Sequence, residues 1–497
     1  MGRMSTGRNS EAISEGASKR PRRRGERGPF FGRSRVALRR LFGTSGVPDW
    51  KVNLVSSRSA EDDRHGRAVT ELCLRLAEGL LSTGKGAADV VSTVVRVTQA
   101  YGVSTVNVEV TYTSIFITRL RGLGRDPVTA TRAIRGRVSD YATLAGLEEI
   151  VERIEKENID VATAAKEFDK VMGRPETYNK VVTVIASGVT VAGVAVIFNA
   201  TAFIAIVSGL SGMLVDIVTR ALGERKVPPM LVQSAGGAVP TLLCVLLVLG
   251  RNNGMTFLNG VYPSLIVVAA VVILLGGLSW VGAAEDALSG YYITASARVT
   301  EVVILTLGLL AGILAVLTVA NGLGVWIEYD PPTAVQQDLV VRVVALAVLG
   351  VAFGVVTHAQ PRVLVWFAVS PVVTWLTYAT VTDQGVGPVT AGVAGGLVAG
   401  LISPVIGRFA KVPDLGVATV GILPLVPGMA VFNALFTLIA GTGNDQLILG
   451  ATQLLAAALF GIGIAVGAST GMATSRGIMG RPFLVARSAR VRQPTAD

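Results

Sequence analysis

The chain reads as a polytopic α-helical membrane protein, with ten transmembrane helices arranged as two inverted five-helix repeats behind an N-terminal cytoplasmic α/β domain. Three observations predict this. Ten apolar runs fill the sequence from Tyr178 onward, each long enough at about 1.5 Å rise per residue to cross roughly 30 Å of hydrocarbon. Lys and Arg between those runs fall almost entirely on alternate connections. An acidic, Pro-containing connection, Asn321 to Asp338, divides the runs into five and five.

Residues 1–64 form a basic tail. Met1 to Arg40 holds 12 Lys and Arg against 3 acidic residues, or +9 of a net charge of +11 for the whole chain. The excess is therefore local, and it argues against a nucleic-acid-binding protein. With little apolar content and no hydrophobic core segment, the tail is not a secretory signal, and a disordered, solvated state is expected. Its run Lys19-Arg20-Pro21-Arg22-Arg23-Arg24 suits anionic lipid headgroups.

Residues 65–175 have the chemistry of a small α/β domain. Apolar residues recur at helical spacing in Ala68 to Leu81 and in Ala87 to Tyr101, and Gly102 is placed to end the second helix. Ser104 to Val110 and Ser114 to Leu120 are rich in Val, Ile, Thr and Phe and read as strands, with a further short strand at Val128 to Ile134. Two charged helices follow, near Leu144 to Glu157 and Val161 to Met172.

The membrane spans are placed at Lys180 to Phe198, Ala200 to Arg220, Leu231 to Leu249, Val261 to Ala283 and Glu301 to Ala320 in a first half, residues 178–320. The second half, residues 339–473, has spans at Leu339 to Thr357, Val363 to Ala379, Pro388 to Gly407, Leu415 to Ala440 and Leu447 to Thr470. In hydrocarbon the backbone must satisfy itself, and continuous apolar runs without period-two alternation select helices. Inner connections collect Arg220, Arg225, Lys226, Arg298, Arg362, Arg408 and Lys411, and the tail 474–497 adds five more arginines, whereas the outer side has Arg251 and Arg342. Both termini are thus expected in the cytoplasm, with the chain multi-pass in the membrane. Because five is odd, a second half sharing the first half's fold enters from the opposite side.

Cofactor and enzyme chemistry is not expected. Only Cys73, Cys244, His65 and His358 exist, too dispersed for a disulfide framework or a metal site. Gly79-Leu80-Leu81-Ser82-Thr83-Gly84-Lys85 has the spacing of a phosphate-binding loop, but Gly86 stands where Ser or Thr would ligate magnesium, and a helix precedes it instead of a strand. A helix-breaking turn is the better account. Gly467-Ala468-Ser469-Thr470-Gly471 has the letters of a nucleophile elbow but lies at the end of a membrane run. Small-residue packing explains it, as it explains Gly392, Gly396 and Gly400 and the matching Gly463, Gly467 and Gly471.

Candidate site residues are the polar and helix-breaking ones near the spans. Pro424 and Pro427-Gly428 interrupt the ninth run, freeing carbonyls to face a cavity, and Asn433 lies close by. Leu278-Ser279-Trp280-Val281-Gly282-Ala283-Ala284 in the fourth run weakly resembles Leu425-Val426-Pro427-Gly428-Met429-Ala430 in the ninth. Pro427, Gly428, Asn433 and Gly282 are therefore the expected substrate-binding residues. Asp216, Glu285, Asp286 and Glu301 are the candidates for proton coupling, since carboxylates at this depth are scarce and partial desolvation raises their pKa. Arg298 is the candidate gating or charge partner. Asp216 also has Arg220 at i+4, the spacing of a local pair.

At these residues a family resemblance emerges. Gly282-Ala283-Ala284-Glu285-Asp286-Ala287-Leu288-Ser289-Gly290-Tyr291, followed by Ala297-Arg298-Val299-Thr300-Glu301, resembles the acidic, Ser-Gly and Arg-to-Glu pattern of the threonine/serine exporter family. Leu80-Leu81-Ser82-Thr83-Gly84 with Tyr101-Gly102, and Ile422-Leu423-Pro424-Leu425-Val426-Pro427-Gly428, are similar to that family's soluble part and second membrane half. The resemblance spans about Ala68 to Ala473. It implies a secondary transporter that exports threonine and serine, driven by the proton gradient, with no cofactor. Its partners would be the amino-acid substrate, protons and anionic lipids, and further copies of the chain are compatible with it. The competing reading is a sensor or scaffold anchored in the membrane, or a transporter of another small polar solute.

Overall fold

The computed structural model describes residues 60–103, 105–121, 126–134, 136–255, 262–274, 277–325, 338–410, 412–440 and 444–479. The basic tails expected to meet lipid lie almost wholly outside the described residues.

The α/β part begins with α1 (Ala60–Ser82) and α2 (Ala87–Ala100). Between them the phosphate-loop lookalike is a turn: Gly84 has φ +102°, a value open to Gly without strain, and the Lys85 amide donates to the Leu80 carbonyl at 3.0 Å. Three antiparallel strands follow in the order β1 (Val106–Val110), β2 (Ser114–Arg119), β3 (Val128–Ala133), with Val108 opposite Ile117 and Ile117 opposite Ala130. Helices α3 (Tyr141–Glu157) and α4 (Val161–Met172) complete the layer, capped by Asp140 and Asp160, whose side chains accept from the Thr143 and Thr163 amides. Leu72, Leu76, Leu80, Val90, Val94, Ile115, Ile117, Leu147 and Ile154 form the core between helices and sheet. That core continues into the rest of the molecule: Tyr141 packs on Phe367 with ring centroids 5.9 Å apart, and the Tyr141 amide donates to the Thr357 carbonyl.

The remainder is helical. It comprises α5 (Lys180–Ile197), α6 (Ala202–Glu224), α7 (Pro229–Asn252), α8 (Ser264–Leu274), α9 (Gly277–Leu288) and α10 (Tyr292–Gly322). Then come α11 (Leu339–Val356), α12 (Leu364–Asp383), α13 (Pro388–Ala410), α14 (Asp414–Ile422), α15 (Gly428–Ala440) and α16 (Asn444–Ile478). Among the described residues eight helices are long and apolar enough to cross a membrane, and α14 with α15 makes a ninth, bent by 46°. Their lipid-facing surfaces are apolar, with Leu210, Leu246, Ile304, Val348 and Leu459 exposed. This is a polytopic helical membrane protein.

The helices approach one another through glycine. A Cβ on Gly396 or Gly400 would stand 2.3 Å or 2.0 Å from the carbonyl oxygen of Ile464 or Ala468, and one on Gly467 or Gly471 would stand 2.4 Å or 2.3 Å from that of Val393 or Leu397. The two glycine rows read from the sequence are thus two sides of one seam, α13 on α16. An equivalent seam joins α7 to α10, where Gly308 and Gly312 lie against the Met230 and Ser234 carbonyls. The first helix of each half packs on the second, α5 on α6 through Gly188 and Gly212, and α11 on α12 through Gly350 and Gly354.

Several limits differ from expectation. The fifth run starts earlier than Glu301, at Tyr292, because polar Thr294 and Ser296 sit in good helical sequence; Arg298 and Glu301 are therefore inside α10. The tenth runs past Thr470 to Ile478, so Ser469 is a mid-helix residue. Of the fourth run the described residues are α8, to Leu274, and α9, from Gly277.

Candidate functional site

Two places gather the polar side chains. The first is a buried charge cluster where the α/β part meets α9, α10, α14 and α16. Asp286, fully buried, accepts the Ala87 amide at 2.8 Å on Oδ1, so it caps α2, whose own N-cap is Gly86 and offers no side chain. Its Oδ2 lies 2.9 Å from Nε of Arg298, itself 4% exposed; the contact is off the line a hydrogen bond needs and is purely ionic. Arg298 reaches on to the Lys85 carbonyl at 3.4 Å. It can lie there because residue 282 is Gly: a Cβ would stand 1.9 Å from Nη1 of Arg298. Gly282, expected among the substrate contacts, is placed as room for this guanidinium.

Glu285, one residue back, receives Nη1 of Arg476 at 3.0 Å, and the same guanidinium meets Asp89 of α2 at 3.2 Å and Asp414 of α14 at 3.0 Å. Glu285 lies past the apolar run, which ends at Ala283, and faces Gly86 of the α/β part. Burial pushes its carboxyl up to about 7; Arg476 opposes the rise, and Asp89 and Asp286 reinforce it. Lys85 pairs with Glu148; burial disfavours its charge, but Glu148 and Asp89 outweigh that and the pKa is raised. Glu301 accepts from the Tyr112 hydroxyl, whose pKa is pushed up to about 12 by burial and by that bond. Arg137 stacks 3.8 Å over the Tyr112 ring, with its pKa lowered by burial and by Arg298. Glu285, Asp286, Arg298 and Glu301 thus belong to one neighbourhood. The partners Asp89, Tyr112, Asp414 and Arg476 come from remote sequence, and only the folded contact between the two parts reveals them.

The second place is the helix interruption in the ninth run. α14 ends in a tight turn, Leu423–Leu425, because Pro424 and Pro427 remove two amide donors, and α15 restarts at Gly428. Gly428 abuts α8: a Cβ there would be 2.3 Å from Cγ2 and 3.1 Å from the amide nitrogen of Val272. The interruption of the ninth run therefore lies against α8 near Val272. Pro427 lines a cavity of about 230 Å³ with Trp280, Thr306, Leu310, Ile422 and Gly461, mostly apolar. Asn433, half-buried one turn into α15, has no hydrogen-bond partner for Oδ1.

Asp216 stands apart from both. It is ion-paired to Arg220 at 2.8 Å, as its spacing predicts, and borders a cavity of about 130 Å³ among α5, α6, α8 and α11.

Two family models, both described as threonine/serine exporter, match in tandem, one over residues 71–320 and one over 342–472. Their junction falls on the acidic connection between the halves. A protein of Mycobacterium tuberculosis named "Probable threonine/serine exporter" is 31% identical over 417 residues, covering 82% of this chain and 77% of that one. The threonine/serine exporter of Corynebacterium glutamicum is 25% identical over 406 residues, covering 81% of each. No solved structure matches the chain. The matched stretch runs from α1 into α16 and takes in the charge cluster apart from Arg476, together with the interruption between α14 and α15: the chain belongs to the threonine/serine exporter family.

Proposed function

We propose that this protein exports small polar amino acids, threonine and serine first among them, across the bacterial plasma membrane, driven by the proton gradient. Ten spans, counting α8 with α9 and α14 with α15 as one span each, form two inverted five-helix repeats. The observation that carries this reading is the repeated plan. In each half the first helix packs on the second and the third on the fifth through a glycine seam, and the interruption between α14 and α15 in the second half meets α8 of the first at Val272 and Gly428. A broken helix of one repeat seated against the other inside a bundle supplies freed backbone groups to a substrate at the bilayer centre. Pro427, Gly428 and Asn433 are assigned to that site.

The proposed orientation has the same support. Every segment that the α/β part touches, Glu285 to Glu301, Thr357 to Phe367, Asp414 to Val420 and Arg476, is an inner connection or inner end in a ten-span alternation with cytoplasmic termini. The α/β domain then closes the cytoplasmic mouth. Glu285 and Asp286 exchange protons there: their charges are balanced by Arg476 and Arg298 while the domain is docked, and undocking exposes them to water. In cells loaded with threonine- or serine-containing peptides, efflux of the free amino acid is expected to require the protein and to stop when an uncoupler collapses the proton gradient. Equal efflux with and without the protein in the membrane removes the exporter reading; uncoupler-resistant uphill efflux removes the proton coupling alone.

A further inference from the structure

The cavity at Asp216 has a one-sided chemistry. Thr190 donates its hydroxyl back to the Ala186 carbonyl at 2.7 Å, and Thr219 donates to the Val215 carbonyl at 2.7 Å. With their protons used inside their own helices, both present only lone pairs to the space beside them. At the cavity's edge the Leu274 carbonyl accepts from Nε2 of Gln233 at 2.5 Å. Asp216 adds a carboxylate whose buried Oδ2 faces Arg220 without accepting a hydrogen bond from it. A small, mostly apolar cavity whose polar wall is Ser187, two threonine hydroxyls turned as acceptors and one carboxylate selects a compact donor with positive charge.

We infer that this cavity binds the α-ammonium group of the exported amino acid, with Asp216 as its counter-charge in place of Arg220 and Thr190 and Thr219 as flanking acceptors. The inference rests on the exporter reading and adds to it a substrate-contacting residue in the first repeat. Asp216 thereby becomes a recognition residue instead of a proton carrier. The volume of about 130 Å³ holds several waters' worth of atoms, which suits the head of a small amino acid and not a peptide. The cavity lies between Ser187 and Thr190 near the middle of α5 and Val356 at the inner end of α11, on the cytoplasmic side of the proposed topology, where an exporter must first meet its cargo.

The test is equilibrium exchange of labelled threonine in proteoliposomes carrying the full-length protein, which needs no proton gradient. Asp216→Asn is expected to raise the KM for threonine about tenfold or more, with Asp216→Glu recovering part of the loss. Wild-type exchange should be competed by serine but not by 3-hydroxybutyrate, which is threonine without its amino group, and Asp216→Asn should narrow that discrimination. Thr190→Val, which removes an acceptor without touching charge, should raise KM severalfold and guards against a misfolded Asp216 variant. Asp216→Asn and Thr190→Val proteins that exchange threonine with wild-type KM would overturn the assignment. So would exchange that depends on sodium in the wild type and loses only that dependence in Asp216→Asn, since the cavity would then hold a metal cation. A wild-type protein that exchanges neither threonine nor serine would instead take down the exporter reading, and this site with it.

Discussion

Replacing Asp286 by Asn tests the contact on which the docking of the α/β part depends. The amide is nearly isosteric, and its Oδ1 still accepts the Ala87 amide, so the change isolates one quantity: the charge facing Arg298 at 2.9 Å. Arg298 is 4% exposed and its other bond is a long one to the Lys85 carbonyl, so it is left buried without a counter-charge. Removing one partner of a buried ion pair costs about 3–5 kcal/mol. At about 1.36 kcal/mol per factor of ten, local opening becomes roughly 10²- to 5 × 10³-fold more frequent. The Ala87 amide reports this directly, because it lies in the first turn of α2 and its partner is on the other side of the contact. Its hydrogen exchange should accelerate by that factor, while exchange in β2 and in α4 stays unchanged. Converting Arg298 to Met in the same protein should recover most of the protection, since an apolar pair of similar volume avoids the unpaired charge. Exchange at Ala87 within threefold of wild type in Asp286→Asn would refute the claim that this pair holds the two parts together.

The raised pKa of Glu285 carries a sign. Its folded value of about 7 exceeds the ordinary 4.5, so docking is strongest below about pH 4.5, weakens as pH rises and reaches its full penalty, about 3 kcal/mol at most, above about pH 7; Ala87 exchange measured from pH 5 to 8 should show this slope in the wild type and lose it in Glu285→Gln. Gly400→Ala places a methyl 2.0 Å from the Ala468 carbonyl and should cost about 1–3 kcal/mol in detergent thermal stability, whereas Gly477→Ala, near the end of the same α16 with nothing within 4 Å, should be neutral. Tyr112→Phe removes the hydroxyl bonded to Glu301 and should weaken docking by about 1 kcal/mol, read by the same amide exchange. Thiol labelling of Gly223→Cys and Asn253→Cys, in a background where Cys73 and Cys244 are replaced, should find the two positions on opposite faces of the membrane; the same face for both would contradict the alternation.

What the sequence made legible follows from where the physics is local. Helix periodicity, turn glycines and apolar length are properties of short windows, and the α/β elements from Ala87 to Met172 fall within two or three residues of expectation at each end. The Gly392–Gly396–Gly400 and Gly463–Gly467–Gly471 rows also announced close packing, because a four-residue repeat of the smallest residue puts a groove on one helix face. The break between α14 and α15 was legible because Pro424 and Pro427 remove amide donors inside an apolar run. The carboxylates were picked out by their scarcity, but not their partners. Asp286 capping a helix 199 residues earlier, and Arg476 shared among Asp89, Glu285 and Asp414, are tertiary facts with no signature at the single-residue level.

The two polar places are joined by contacts that leave little slack. Arg298 sits in the second turn of α10. That helix is seated on α7 at Gly308 and Gly312, where added methyls would stand 2.3 Å and 1.8 Å from the Met230 and Ser234 carbonyls, so neither helix can slide without the other. Gln233, the residue before Ser234 in α7, holds the Leu274 carbonyl at the rim of the Asp216 cavity. On the proposed reading, release of Arg298 by an undocking α/β domain frees α10 and α7 to move as a pair, and the Gln233 bond carries that motion to the end of α8. Packed interfaces of this kind switch between discrete arrangements instead of deforming gradually. The domain at the cytoplasmic mouth and the carboxylate beside α8 would then be two ends of one movement, which gives a reason for a buried ion pair at a place where an apolar contact would hold the fold as well.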